Sequence, residues 1–474
     1  MLIDTHCHLS FPDFDRDRDD VIGRAKEIGV IAIIEVASSI EGARRAVDLA
    51  GSRDIVYATL GVHPHEAASV TDKVISDFKI MAKEKKVVAV GEVGLDYYIR
   101  DPDGAGRQLV PSGSRSRNSQ ISAFRKFIQL AQEIDLPLII HSRDAGDAVL
   151  NILREYERRT TNDERRIRGV IHCFSGDKKF LKECLDLGLY VSFTCNLTFK
   201  NAGALRGVAA EVPIERLLLE TDAPFLAPQQ YRGKRNEPSY LTHLAHEWAG
   251  ITGLTEADIG RITAHNANML FKLYPVEDAK IVYEIRNSLY LNITNRCTNN
   301  CNFCIRSRTN FVKGHNLALD KEPAVEEILK AIGDPSGYKE VVFCGYGEPT
   351  MRLDIVKAVA KELKARGAKV RLVTNGHGDL INSRPIAGEL SGLIDRISVS
   401  LNAETEEKYN RICAPKFGAK SFGRVIEFIK DCAAHNIDTE VTCLDLEGVD
   451  TRKCEELAKS AGARFRLRRY GVTG

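Results

Sequence analysis

Two short stretches carry residue types that do chemistry. "DTHCHL" (Asp4 to Leu9) sets His6 and His8 two residues apart, so on an extended strand both imidazoles point the same way. "NRCTNNCNFCIR" (Asn295 to Arg306) holds Cys297, Cys301 and Cys304 in the spacing C-x3-C-x2-C. The first stretch is a nitrogen-donor pair of the kind that binds a transition metal. The second presents three thiolates on one short loop, one fewer than the four protein ligands of a structural zinc. Cys344, Cys413 and His315 are the candidates for a fourth. A cubane [4Fe–4S] cluster takes a ligand on each iron. Three cysteines therefore leave one iron open to a small molecule.

The elements around the histidines are legible as strands. Apolar runs recur at "MLIDTH", "VIAIIEVA", "IVYATLGVH", "VVAVGEVG", "LPLIIHS", "GVIHCF", "LYVSFTCN" and "RLLLETD". Continuous apolar runs are the pattern of strands covered on both faces. Amphipathic segments separate them; in "DDVIGRAKEIG" Val21, Ile22, Ala25 and Ile28 are expected on one helical face. Eight such units predict a parallel (β/α)8 TIM barrel. Its chemistry belongs at the C-terminal ends of the strands. There the polar residues fall: Glu92 on the fourth, His141 on the fifth, His172 on the sixth and Asp222 on the eighth, with His63 and His65 after the third. Unrelated structural polarity does not account for ligand-type side chains recurring at strand ends. Imidazole with carboxylate suits zinc, manganese, iron or nickel. A carboxylate between two histidine groups can bridge two ions roughly 3.5–4 Å apart, the arrangement used in phosphoester hydrolysis.

The pattern restarts after Pro275, with Glu277 and Asp278 marking a boundary near residue 276. We expect domains at 1–275 and 276–474. Strand runs follow at "LYLNIT", "EVVFCG", "KVRLVTN", "RISVSLN", "TEVTCLD" and "RFRLRRY", separated by amphipathic helices. Six units do not close an eight-stranded barrel, so a partial (β/α)6 barrel is expected, open on one side. The last run alternates Arg464, Arg466 and Arg468. On one strand face these arginines suit an anion or a nucleic-acid phosphate; a solvated edge fits the same pattern.

Composition sets bounds. The 474 residues are 43% hydrophobic and 28% charged, with net charge +2 and a pI near 7.9. That balance gives no global bias toward nucleic acid, so local clusters must carry any such argument. No secretory signal and no bilayer-spanning run is read, which predicts a cytoplasmic protein without membrane association. The twelve cysteines then point to reduced thiols and to metal ligation where they cluster.

The first half resembles the TatD family of metal-dependent deoxyribonucleases, amidohydrolase-like barrels. "DTHCHL", "GVHPHEA", "VGEVGLDYY", "IIHSRDA", "IHCFSG", "LLETDAPFLAP" and "YRGKRNEPSYL" carry the resemblance over about residues 1–274. It implies two divalent ions (Zn, Mn or Mg). His6, His8, Glu92 and Asp222 would hold one, and Glu92, His141 and His172 the other. Glu92 and Asp222 would be the catalytic carboxylates. His63, His65, Arg232, Lys234 and Arg235 would meet substrate phosphate on DNA. The Gly-, Ser- and Arg-rich loop at 100–119 is longer than the family's usual connection, which bears on substrate range.

The second half, about residues 286–474, resembles the radical S-adenosylmethionine (radical SAM) superfamily. Beside the cysteine loop stand "GYGEP" (Gly345 to Pro349), similar to the superfamily's Gly-Gly-Glu-Pro motif with Tyr346 interrupting the glycines, and "TNG" and "SVSLNA". The resemblance favours a [4Fe–4S] cluster on Cys297, Cys301 and Cys304 over zinc. It implies S-adenosylmethionine on the open iron, contacted by Phe303, Gly345, Gly347, Glu348, Ser400 and Asn402. It further implies one-electron cleavage to a 5′-deoxyadenosyl radical, with flavodoxin or ferredoxin as reductant. The joint expectation is a bifunctional fusion: a TatD-like nuclease and a radical enzyme of unknown substrate. The alternatives are a first half that acts on a small molecule or modified nucleotide shared with the second, or one that is a non-catalytic nucleic-acid adaptor.

Overall fold

The structure, a computed structural model, describes residues 1–98, 116–159 and 166–469. It divides into two compact units, Met1–Pro275 and Val276–Gly474. Most of the 100–119 loop lies outside the described residues. No helix among the described residues is long and apolar enough to cross a membrane.

The first unit is an eight-stranded parallel sheet in chain order: β1 (Leu2–Cys7), β2 (Val30–Glu35), β3 (Val56–Leu60), β4 (Val87–Asp96), β5 (Leu138–Arg143), β6 (Gly169–Ile171), β7 (Tyr190–Phe193) and β8 (Leu217–Leu219). The residues just past β8 close it onto β1. Cys7 pairs with Ala223, and Asp222 N donates to His6 O over 2.8 Å. The buried Asp4 carboxylate accepts from Thr221 N at 2.9 Å and Thr221 Oγ1 at 2.5 Å. Outward-facing strand residues meet the surrounding helices in one large core. The alternate residues Ile3, Ala32, Ile34, Ala89, Ile139 and Leu218 form a second core with Ala264, Leu270 and Phe271 of the closing helix Glu256–Phe271. One end of the barrel is thus plugged with apolar side chains, and chemistry is left to the other. The helix Arg18–Glu27 buries Val21, Ile22 and Ala25 as its period predicts. Ile28 departs from the expectation: it is the C-cap, past the last helical turn, and is 38% exposed.

The second unit is a seven-stranded sheet. Its strands are β9 (Val282–Ile285), β10 (Ser288–Leu291), β13 (Glu340–Phe343), β14 (Val370–Thr374), β15 (Arg396–Ser400), β16 (Asp438–Leu444) and β17 (Arg464–Arg468). The two-residue strands β11 (Phe311–Val312) and β12 (His315–Asn316) pair separately. The sheet runs β17-β16-β15-β14-β13-β10-β9. The six expected strands are parallel. β9 is additional and antiparallel to β10, a hairpin whose turn places Arg286 at φ 54°. Apolar residues such as Leu372, Ile397, Val399 and Val441 form the core with Val356, Phe428 and other helical side chains.

Candidate functional site

Every strand-end ligand expected in the first unit reaches one place. Glu92 lies between two histidine groups. Its Oε1 is 2.6 Å from His141 Nδ1 and 2.7 Å from His172 Nε2, while Oε2 is 3.7 Å from His6 Nε2. His6 Nε2 and His8 Nε2 are 3.2 Å apart. Asp222 Oδ1 faces them at 3.7 and 3.5 Å. Asp222 holds a left-handed backbone, φ 55°, unusual for a residue with a Cβ and found most often where function requires it. His8 Nδ1 is 2.8 Å from Val36 O. That carbonyl takes the Nδ1 proton, which leaves the Nε2 lone pair facing His6.

Electrostatics follow from crowding. Burial opposes ionisation of Glu92, yet His172, His63 and His141 hold its pKa well below the ordinary value. Burial, with His172 adding, pushes His6 well below 6.5. Burial also works against the His172 cation, but Glu92 and Glu220 outweigh it and raise the pKa. The buried His6 Nε2 and His8 Nε2 face one another with Asp222 Oδ1 and Glu92 Oε2 nearby, a donor set of the kind that a divalent cation satisfies. Two of the groups whose donor atoms all lie within 4.8 Å are His6–His8–Asp222 and His63–Glu92–His141.

Two carboxylates escaped sequence reasoning. Asp96 Oδ2 lies 3.3 Å from His141 Nε2 and 3.0 Å from His65 Nε2. Glu220 accepts from Cys173 N and Ser192 Oγ, each at 2.6 Å, and stands 3.6 Å from His172 Nδ1. The signal for Asp96 was strand parity, since it lies four residues past Glu92 on β4 and so on the same face; Glu220 directly follows β8, two residues before Asp222. Gly94, between Glu92 and Asp96, permits the approach of β5: a Cβ there would sit 2.2 Å from His141 O.

His63 Nδ1 accepts from His65 N at 3.2 Å, so its other nitrogen carries the proton toward Glu92 Oε1, 3.8 Å away. Burial lowers its pKa to about 4, so His63 is a neutral donor. The three cations differ. Arg235 is committed to Asp17 through two bonds of 2.7 and 2.6 Å and lies over the Phe14 ring. Arg232 and Lys234 are exposed, stacked on Phe199 and Tyr231. Neither has a carboxylate partner among the described residues.

In the second unit, Cys297, Cys301 and Cys304 are half-buried on a loop directly after β10. The helix Glu406–Cys413 pins that loop: Asn300 N donates to Cys413 O and Asn302 N to Ile412 O, each over 3.0 Å. A hydrogen bond from the Cys413 thiol lowers the Cys301 pKa. Asn375 Nδ2 donates to Cys297 Sγ at 3.7 Å. Gly347 lies flat on the loop's start, where a Cβ would fall 2.3 Å from Arg296 O. Glu348 is buried, its carboxylate accepting from Thr350, Thr374 Oγ1 and Asn375 N at 2.7–3.0 Å. It therefore ties β13 to β14 in this arrangement. Phe303 packs on the core, Ser400 Oγ is 3.5 Å from Thr442 Oγ1, and Asn402 accepts from Leu444 N at 3.2 Å. His315 is engaged with Glu284 O at 2.9 Å.

Comparison with known proteins agrees with both halves. The family described as "TatD related DNase" matches residues 3–272, and the radical SAM superfamily matches residues 291–461. A Bacillus subtilis protein named as an uncharacterized metal-dependent hydrolase is 38% identical over 273 residues, 58% of this chain and 100% of its own. A 3'-5' ssDNA/RNA exonuclease TatD from Musicola paradisiaca is 33% identical over 278 residues, 57% of this chain and 98% of its own. The crystal structure of a TatD homolog from Escherichia coli K12 superposes with a TM-score of 0.51 at 30% identity, covering 58% of this chain and 98% of that one. A strand-end metal-ligand set in an eight-stranded barrel and a family match over the whole first unit lead to one conclusion: this chain belongs to the TatD family of metal-dependent hydrolases and carries a radical SAM domain in its second unit.

Proposed function

We propose that the first unit hydrolyses phosphodiester bonds of nucleic acid at two divalent ions, held by His6, His8, Glu92 and Asp222 on one side and Glu92, His141 and His172 on the other. The observation that carries this reading is the Glu92 carboxylate, with one oxygen toward His6 and the other toward His141 and His172. When bound, such an ion pair supplies Lewis acidity and a nucleophile at neutral pH. The chain's own residues do the rest. Asp96 and Glu220 orient His141 and His172, neutral His63 donates toward the phosphate, and Arg232 and Lys234 hold the flanking backbone. The exonuclease name of a 33% identical relative supports single-stranded nucleic acid as the substrate. The fusion itself favours a second reading, hydrolysis of a small molecule shared with the second unit at high effective concentration. Metal-dependent cleavage of generic single-stranded DNA separates the two: release of mononucleotides supports the first, and metal binding without cleavage contradicts it.

For the second unit we propose a [4Fe–4S] cluster on Cys297, Cys301 and Cys304 that binds S-adenosylmethionine and receives its electron from a flavodoxin- or ferredoxin-type protein. Cys297, Cys301 and Cys304 lie half-buried together on the one loop directly after β10. Three thiolates are one fewer than the four protein ligands of a structural zinc, and on a cubane cluster they leave one iron open for S-adenosylmethionine. When bound, the cluster supplies the electron that cleaves S-adenosylmethionine. Anaerobic reconstitution followed by detection of 5′-deoxyadenosine tests this; cluster assembly with no cleavage after reduction would contradict it.

A further inference from the structure

The sheet of the second unit has one face packed on its helices and another lined with arginine. Val370, Leu372, Ile397, Val399, Val441 and Phe465 belong to the apolar core, so the residues alternating with them line the opposite face. Among the described residues that face carries Arg371, Arg396, Arg464, Arg466 and Arg468 against Glu340, Asp438 and Glu440. Four of the arginines are paired. Arg371 meets Glu340 at 3.0 Å, Arg396 and Arg464 share Asp438 at 2.8 and 2.6 Å, and Arg466 meets Glu440 at 3.1 Å.

Arg468 is the exception. Among the described residues this half-buried side chain has no carboxylate partner, and its buried Nε has no hydrogen-bond partner. Burial presses its pKa below the ordinary value, and the nearby Arg466 and Arg371 add to this, while Cys344 and Tyr290 oppose it. Arg371 feels Cys344 and Tyr290 as well. β17 is one edge of the sheet and β13 lies four strands away in its order. Arg468 ends β17, at the same C-terminal end of the parallel strands as the cysteine loop after β10 and Gly345–Glu348 after β13. Ligands of open α/β sheets bind at that end.

A buried guanidinium nitrogen without a partner is costly, and the planar guanidinium fork matches a carboxylate or phosphate bidentately. We propose that Arg468 binds an oxyanion group, carboxylate or phosphate, of the molecule on which the radical SAM unit acts. This rests on the second unit being a radical SAM enzyme, as proposed above, and it narrows the substrate class to anions.

The test uses the full chain with its cluster reconstituted anaerobically, and two probes, inorganic phosphate and acetate. Binding is read as hydrogen-exchange protection of peptides spanning residues 438–469, which keeps phosphate bound in the first unit out of the signal. S-adenosylmethionine affinity is measured in parallel from the cluster spectrum. One probe or both should protect these peptides, and the better one identifies phosphate or carboxylate. Arg468→Gln should weaken that protection at least roughly ten-fold, as expected for loss of a charge-assisted contact, while S-adenosylmethionine affinity stays within about two-fold. Arg468→Lys keeps the charge without the fork and should fall between; it carries the comparison if Arg468→Gln does not fold. Absence of protection in the wild-type chain, or equal protection in the variants, overturns the proposal. So does a parallel loss of S-adenosylmethionine affinity, which would give Arg468 to the cofactor's own carboxylate. Failure of the cluster or of S-adenosylmethionine binding in the wild-type chain would instead remove the radical SAM reading, since neither probe requires the cofactor.

Discussion

Asp96 and Glu220 stand behind the histidines that face Glu92, and on the proposed reading they would set how well those histidines donate to a metal. Asp96→Asn keeps the shape and removes the charge opposite His141. It should reduce metal affinity or hydrolysis by about 10- to 100-fold, read from metal content and initial rates; an unchanged variant would reduce Asp96 to scaffold. The proposed phosphate contacts divide differently. Arg232→Ala with Lys234→Ala should flatten the salt dependence of nucleic-acid binding by roughly two phosphate contacts. Arg235→Ala, which breaks the pair with Asp17, should leave that slope alone. A slope moved by Arg235 and not by the other two would reverse the assignment. The ligand-type residues were legible because each ends a recognisable apolar run. The commitment of Arg235 was not, because its partner is 218 residues away in the chain and nothing local marks it. Asp96 and Glu220 were hidden for a milder reason: a second carboxylate near the same strand end reads as ordinary polarity until the histidine it faces is known.

β4 spans ten residues and is buried throughout, and it carries both Glu92 and Asp96 to β5. The approach depends on Gly94, whose φ is 141° and whose Cβ would meet His141 O. Gly94→Ala should destabilise the first unit by about 3 kcal/mol and lower hydrolysis with it. The single tryptophan, Trp248, is buried in the first unit and reports its urea unfolding. Gly23→Ala, in open space within a helix, is the control and should leave stability equal or slightly higher. In the second unit, buried His377 joins Thr298 of the cysteine loop, 2.9 Å from its Nδ1, to Tyr409, 3.0 Å from its Nε2. Burial lowers its pKa to about 4. Between roughly 6.5 and 4 the unfolded chain binds a proton that the folded chain refuses, so stability falls as pH falls through that window. The contribution is roughly 2.5 kcal/mol from pH 7 to pH 4.5. Hydrogen exchange on peptides of the loop should show it in the wild-type chain and a flatter response in His377→Gln; parallel profiles would sink the assignment. The six parallel strands of this unit were readable from their apolar runs. β9 was not, because its sequence runs without a break from the boundary into β10, and only the φ of Arg286 marks the turn.

On the scale of the whole chain, two candidate metal sites with opposite ligand types fall in separate units, each with its own core. Imidazole and carboxylate serve hard or borderline divalent ions, and thiolates serve iron–sulfur. Cys297→Ala should therefore abolish S-adenosylmethionine cleavage and leave nucleic-acid hydrolysis at the wild-type rate; simultaneous loss of both would mean the units are catalytically coupled. The reverse experiment bears most directly on the account, because among the described residues Glu92 is the carboxylate that faces both histidine groups. Divalent metal content and phosphodiesterase rate should be measured on Glu92→Gln beside the wild-type chain, with 5′-deoxyadenosine formation as the internal control. We predict about two divalent ions per wild-type chain beyond the cluster iron. The variant should bind fewer, with hydrolysis lowered on the order of a thousand-fold and S-adenosylmethionine cleavage intact. Full hydrolysis by Glu92→Gln with unchanged metal content would contradict the account.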